Sequence, residues 1–470
     1  MKKQVTLAVI VGNRGFFPAE LCRDGRQEIL GILKREGVRA ICLTPKDTKY
    51  GAVESLQDAR KCAELFARHR DEIDGILITL PNFGDEKAIA NTIRFSGLNV
   101  PILVHAYPDD PKRMDLAHRR DSFCGKLSVC NNLLQYGFSF TVTDLHTVDP
   151  NSESFLGDLR EFVATCRVVR GLRRARLGSI GARTGPFNTV RFSEKLLEQA
   201  GISVETVDLS EVFGWMEKLG DTDRKVKNRV QGIQKYLPTD NVPEAALNQM
   251  AKFGIVLQDW IEKNEIDGVA VQCWTAIEEL IGITPCTVMS MLSESLIPAA
   301  CEVDVTGLVG MYALQLASCQ PSALVDWNNN FGNDPERGVI FHCSNYPKSV
   351  FTSARVSHQD ILAGTVGVDR SYGTCVGRMK PGPLTFCRVA THENIGAIGA
   401  YLAEGESTED ALDTFGGYTV VHVPGLQELL RYACLNGFEH HVAVSYSSVA
   451  RPVFEALRTY LGWEVYLHEG

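Results

Sequence analysis

Short runs of β-forming apolar residues recur at 5–12, 38–45, 75–81 and 100–107, each parted from the next by a longer stretch, and this alternation constrains the fold more than any other feature. Strand-length apolar runs bounded by turn residues read as buried strands, and a helix carried between two of them makes the crossover of a parallel sheet. In the intervening segment 20–35, Leu21, Ile29, Leu30 and Leu33 favour one helical face, which would pack on that sheet. The first unit is accordingly doubly wound.

Over 141–176 the pattern gives way to an amphipathic helix with the basic cluster Arg167, Arg170, Arg173, Arg174 and Arg176. Such a cluster suits a phosphate or, more plainly, a solvated helix end or an interface. The alternation then restarts, with a strand at 176–181, a glycine-containing loop at 182–188, a helix at 191–200, and further strands at 204–209, 268–273, 323–327 and 338–343. From about residue 350 glycine becomes frequent, and the β-rich runs 384–390, 396–404 and 418–424 precede a helix at 425–435 and last strands at 441–446 and 464–468. The expected fold class is α/β: two doubly wound parallel-sheet domains, 1–172 and 173–349, followed by a C-terminal β-rich α+β domain, 350–470, built as an antiparallel sheet or barrel. A chain of 470 residues accommodates three such domains.

A formal charge of −9 supplies no broad basic field for nucleic acid or anionic lipid. Apolar runs such as 5–11 and 100–106 fall far short of the ~20 residues that cross a bilayer. The expected partner is therefore a small molecule, with no nucleic acid and no membrane. The opening Met1-Lys2-Lys3-Gln4 leads into a strand-like run without a small-residue cleavage pattern, so it reads as the approach to the first strand and not as a signal peptide. Fourteen cysteines scatter from Cys22 to Cys434 without a C-x-x-C pair, as buried thiols of a reducing cytoplasm do. Gly181-Ala182-Arg183-Thr184-Gly185 lacks the G-x-G-x-x-G spacing that brings backbone against a pyrophosphate, which argues against a dinucleotide site.

Three stretches carry the chemistry: Val271-Gln272-Cys273-Trp274 at a strand end, Cys301-Glu302-Val303-Asp304-Val305 at a helix start, and Leu324-Val325-Asp326-Trp327 on the next strand. This order of Gln, Glu and Asp resembles that of the L-fucose/L-arabinose isomerase family of metal-dependent aldose–ketose isomerases. Glu302 and Asp326 stand 24 positions apart, which is the family's spacing between its metal-binding Glu and Asp. The family's third ligand, a His in a short Asn-His-Gly sequence, falls on His440 in Phe438-Glu439-His440-His441-Val442. A second His replaces the Gly here, so His441 stands as the alternative. The first strand-to-helix loop, Gly12-Asn13-Arg14-Gly15-Phe16-Phe17-Pro18, resembles the family's substrate-contacting loop, which serves a neighbouring subunit's site. This chain is shorter than full fucose isomerases, so some loops and sugar contacts must differ.

The resemblance implies a homo-oligomer, a trimer or hexamer, with a Mn2+ site (Co2+ or Mg2+ being the other candidates) held by Glu302, Asp326 and His440. It implies Glu302 and Asp326 as the catalytic proton carriers, and Arg14, Gln272 and Trp274 as substrate-binding residues. Two carboxylates and one imidazole form a hard site with positions left for substrate oxygens, and a cation bridging the C1 and C2 oxygens stabilises a cis-enediolate. Each residue also has a plainer reading. Glu302 and its neighbour Asp304 suit the dipole of a following helix, Asp326 suits a loop cap, and His440 suits a surface histidine. His342 suits a packed histidine or one lining the site, Trp274 suits a core residue, and Arg14 suits a solvated loop. The expected activity is aldose–ketose isomerisation of a fucose- or arabinose-like sugar or of a modified hexose, for example a sulfonated one. Its rivals are a metal-dependent lyase or hydrolase acting on a sugar acid and a non-enzymatic sugar-binding protein.

Overall fold

The computed structural model of the protein describes residues 4–470, so residues 1–3 of the opening segment lie outside the described residues. Two compact units form: Met1–Arg170 with Glu455–Gly462, and Gly171–Phe454 with Trp463–Gly470.

The first unit holds five parallel strands: β1 (Thr6–Val11), β2 (Arg39–Cys42), β3 (Gly75–Leu80), β4 (Ile102–Ala106) and β5 (Thr141–Val142), in the order β2-β1-β3-β4-β5. Strands β1, β3 and β4 are buried at every position. A doubly covered sheet has no solvent face, which is why these strands read as unbroken apolar runs instead of alternating ones. The helix Glu20–Arg35 buries Cys22, Gly25, Ile29, Ile32 and Leu33. Its buried stripe is thus turned from the one expected: Leu21 and Leu30 lie at its margin. Gly25 permits this close seat, because a Cβ there would stand 2.7 Å from the Pro81 ring and 3.3 Å from Tyr107. Arg170 of the basic cluster pairs with the buried Asp74, which is the structural use of such residues. The chain returns to this unit near its end, where Tyr460 Oη donates to Ile102 O at 3.1 Å and lies 2.7 Å from Thr141 Oγ1.

The second unit contains two sheets. Strands β6 (Arg176–Ile180), β7 (Ser203–Val207), β8 (Gly268–Val271) and β9 (Ala299–Cys301) are parallel in the order β7-β6-β8-β9. The other sheet comprises β10 (Ser322–Asn330), β11 (Arg337–His342), β12 (Phe351–His358), β13 (Tyr372–Met379), β14 (Gly382–His392), β15 (Ala397–Ser407), β16 (Gly417–His422), β17 (His441–Ser445) and β18 (Glu464–Leu467). Its order is β12-β13-β16-β11-β10-β17-β14-β15-β18, and β15 pairs back onto β16. Six antiparallel strands therefore close into a barrel, which leaves those strands no free edge.

Strands β10 and β11, which the alternation attached to the parallel-sheet unit, belong to this barrel. A strand-length run does not disclose its partner. The helix Val305–Ser318 is buried from Val305 through Gln315, and it contacts β8 and β9 on one side and β10, β14 and β17 on the other. A helix apolar all round is one held between two layers. All fourteen cysteines are free thiols, and no helix of the described residues is long and apolar enough to cross a membrane.

His105 on β4 is fully buried; its Nε2 donates to Val148 O and its Nδ1 faces Thr79 Oγ1, both at 2.9 Å. Burial holds the ring neutral and lowers its pKa from the ordinary 6.5 to about 4. Below 6.5 the unfolded chain therefore binds a proton that the native chain refuses, and stability falls as pH drops from 6.5 to about 4. Denaturant midpoints measured across that window should decline, with a shallower decline in His105→Gln, whose amide does not titrate.

Candidate metal centre

The C-terminal ends of β6, β8 and β9 face the same side of their parallel sheet, where open α/β sheets expose ligand groups. After β9 the chain turns sharply: Glu302 and Val303 both adopt left-handed backbone, at φ 63° and 58°. A β-branched residue is seldom held there, and such positions cluster at functional sites. The turn delivers Asp304 as the N-cap of the helix Val305–Ser318, where it accepts from Gly307 N at 2.8 Å.

Barrel register brings the remaining groups in. Antiparallel pairing of β10 with β17 sets Asp326 opposite His441, and pairing of β10 with β11 sets Asp326 opposite Phe341, next to His342. His441 Nε2 lies 3.0 Å from Glu302 Oε2 and 3.4 Å from Asp326 Oδ1. The potential ligand atoms of Glu302, His342 and His441 lie within 4.8 Å of one another, as do those of Asp326, His440 and His441. Glu302 Oε2 and Asp326 Oδ1 are buried atoms with no hydrogen-bond partner. Two buried carboxylate oxygens that converge on one imidazole nitrogen and have no other partner make a donor set that fits a divalent cation.

Asp304 is not merely the helix-dipole acid expected. It is fully buried, and its Oδ2 accepts from His441 Nδ1 at 2.9 Å. Arg388, also fully buried on β14, donates to Asp304 Oδ2 at 2.5 Å and Oδ1 at 3.2 Å, to Thr306 Oγ1 at 3.0 Å, and to Glu439 Oε2 at 2.9 Å. Gly307 is required beside them, because a Cβ there would run into the Asp304 carboxylate and the Arg388 guanidinium. With Nδ1–H committed to Asp304, His441 turns its Nε2 toward Glu302 and Asp326.

Charge follows the same geometry. Burial favours a neutral His441, but Asp304 and Glu302 outweigh it and push the imidazole up to about 10. Burial raises the Glu302 carboxyl, yet His441, His342 and the Trp274 indole together bring it down to about 2. Asp304 is likewise desolvated, and Arg388 with His441 holds it well below the usual carboxylate range. A cation held by these residues would compete with a proton for His441 Nε2.

The sequence-derived site residues fall as follows. Glu302 and Asp326 meet around His441. His440 is the more exposed histidine, 3.8 Å from Asp326 Oδ1 and outside the group formed by Glu302; burial and the neighbouring His441 lower its pKa. Trp274 Nε1 donates to Glu302 Oε1 at 2.8 Å, so its polar edge orients a carboxylate and leaves Oε2 turned elsewhere. Gln272 Oε1 accepts from Ala182 N at 2.9 Å and so ties down the loop after β6. Arg14, in the first unit, donates to Gly84 O and pairs with Glu86. Sequence reasoning missed Phe187, whose ring lies 6.0 Å from Trp274 and 5.7 Å from His441. It also missed Arg388, although an arginine inside the apolar strand 384–390 signals a buried carboxylate partner.

Residues 8–173 match the family model for the fucose/sulfoquinovose isomerase N-terminal domain, and residues 340–468 match that for the L-fucose isomerase C-terminal domain. Relatives named sulfoquinovose isomerase are similar over most of the chain. That of Alkalicoccus urumqiensis is 24% identical over 400 residues, covering 82% of this chain and 84% of the relative. That of Priestia aryabhattai is 24% identical over 354 residues, covering 74% and 72%.

Replacing Asp304 by Asn removes the anion that fixes the His441 tautomer while keeping side-chain size. Mn2+ affinity, read by calorimetric titration with folding checked by thermal melt, should weaken about 10–100-fold, the usual loss when a ligand's hydrogen-bond partner is removed. Unchanged affinity would mean that Asp304 serves the helix alone.

Proposed function

This chain belongs to the fucose isomerase-like family of aldose–ketose isomerases, and from that premise we propose that it isomerises a sulfonated hexose at a divalent-cation centre held by Glu302, Asp326 and His441. The observation that carries the centre is the convergence of two buried carboxylate oxygens, Glu302 Oε2 and Asp326 Oδ1, on His441 Nε2. His441 replaces His440 in the ligand set because it approaches both carboxylates, whereas His440 approaches Asp326 only. His342 stands beside Glu302 as a fourth candidate donor. The sulfonated substrate is supported by the names of the relatives.

A bound cation, Mn2+ in this reading with Co2+ or Mg2+ as substitutes, would supply positive charge for the C1 and C2 oxygens of the open-chain sugar. The protein supplies the rest. Asp304 holds His441 in one tautomer, and the Trp274 indole holds Glu302 Oε1, so the carboxylates stay in place as the sugar changes charge. Glu302 and Asp326 share the proton transfers: one carboxylate oxygen accepts the C2 proton as the enediolate forms and returns it at C1, while the O2 hydroxyl proton passes to O1 to complete the ketose. Phe187 covers the His441 side of the centre and limits water there. Fourteen free thiols suit a reducing cytoplasm as the place of work. A homo-oligomer in which the Arg14 loop serves a neighbouring subunit remains part of this reading, on the family resemblance.

With Mn2+ present, the enzyme should convert 6-deoxy-6-sulfoglucose to its ketose in preference to fucose or arabinose and exchange deuterium from D2O at C2 without cleaving carbon bonds. Preference for a neutral aldose would refute the sulfonated substrate. Chelation should abolish turnover and Mn2+ restore it, whereas full activity in metal-free protein would refute the centre. At saturating Mn2+, Glu302→Gln and Asp326→Asn should each lose about 10²–10⁴-fold in kcat, the usual scale for a missing general acid–base group.

A further inference from the structure

We propose that the loop after β6, residues 182–185, is the subsite for the anionic end of the substrate, with Arg183 as its fixed charge; this rests on the sulfonated-sugar reading above. Two ties fasten the loop to the centre. At its start Ala182 N donates to Gln272 Oε1, on the strand end that carries Trp274. Just beyond it, Phe187 packs against Trp274, His440 and His441, and its N–H closes back on Thr184 O at 3.1 Å. Arg183, Thr184 and Gly185 lie between these fixed points.

Arg183 uses only Nη1, donating to Thr184 O and Gly185 O at 3.2 Å each, and forms no ion pair among the described residues. Its Nε and Nη2 protons are left for another acceptor. Thr184 is 3% exposed, yet its Oγ1 has no hydrogen-bond partner. A hydroxyl buried in this way normally has one. The backbone N–H groups of Arg183, Thr184 and Gly185 donate to no group among the described residues. Adjacent unused amides at the C-terminal end of a parallel strand, an orphaned hydroxyl and a permanent forked cation together make the donor set that a tetrahedral oxyanion takes. Arg388 is unavailable for the task, since Asp304, Thr306 and Glu439 already occupy it.

Steady-state kinetics of the Mn2+-loaded full chain on 6-deoxy-6-sulfoglucose, glucose 6-phosphate and glucose tests the subsite. Arg183→Met should lower kcat/KM on the sulfonated sugar about 10–100-fold, chiefly through KM, and by a factor about tenfold greater than on glucose. Thr184→Val, nearly isosteric, should bias the enzyme the same way by a smaller factor, and it decides the matter if Arg183→Met melts early. Equal losses on charged and neutral sugars, or no loss from either variant, overturn the subsite and leave the substrate reading standing. A parent enzyme with no preference for the sulfonated over the neutral sugar removes both. Preference for the phosphorylated sugar with the same dependence on Arg183 keeps the oxyanion subsite and removes only the sulfonate.

Discussion

A single buried carboxylate organises the second unit. Asp304 has no water to solvate it, and it persists as an anion because Arg388, His441 and the Gly307 amide surround it. Those contacts bind the start of the helix Val305–Ser318 to barrel strands β14 and β17. Removing one partner of such a buried pair leaves an uncompensated charge and typically costs about 3–5 kcal/mol. The barrel, the parallel sheet and the helix between them are therefore locked in one register. The same lock aims His441.

Next to that lock the chain tolerates strain. Glu302 and Val303 in left-handed backbone cost on the order of 1–3 kcal/mol each. The turn persists because its surroundings over-determine it: Cys301 is paired into the sheet, Trp274 holds the Glu302 carboxylate, Val303 N bonds Val271 O at 3.2 Å, and Asp304 is clamped. A straighter path would turn the Glu302 side chain away from His441, so the backbone conformation is part of how the centre is assembled.

Much of this was legible beforehand. Unbroken apolar runs announced the doubly covered strands of the first unit, since a sheet buried on both faces leaves no polar alternation. Glu302 and Asp326 stood out by spacing and resemblance. Less legible was the allegiance of β10 and β11, because a strand run specifies burial and not partner. The same blindness hid the return of Glu455–Gly462 to the first unit, where Tyr460 and Glu455 find hydrogen-bond partners on β4 and β5.

By itself, the sequence determined the kinds of element and the chemical types at hand: β runs, crossover helices, two acids at a family spacing and a pair of adjacent histidines. Only tertiary structure set those histidines apart: His441 is buried and approaches both Glu302 and Asp326, while His440 is more exposed and approaches Asp326. Successive residues of a strand point to opposite faces, and it is His441, the first residue of β17, that stands opposite Asp326. That register is set by barrel closure and by the bond from His441 to Asp304, 137 positions away. Local patterning carries no record of contacts at such distance, and for the same reason Asp304 read as a helix-start acid until its buried partners were in place.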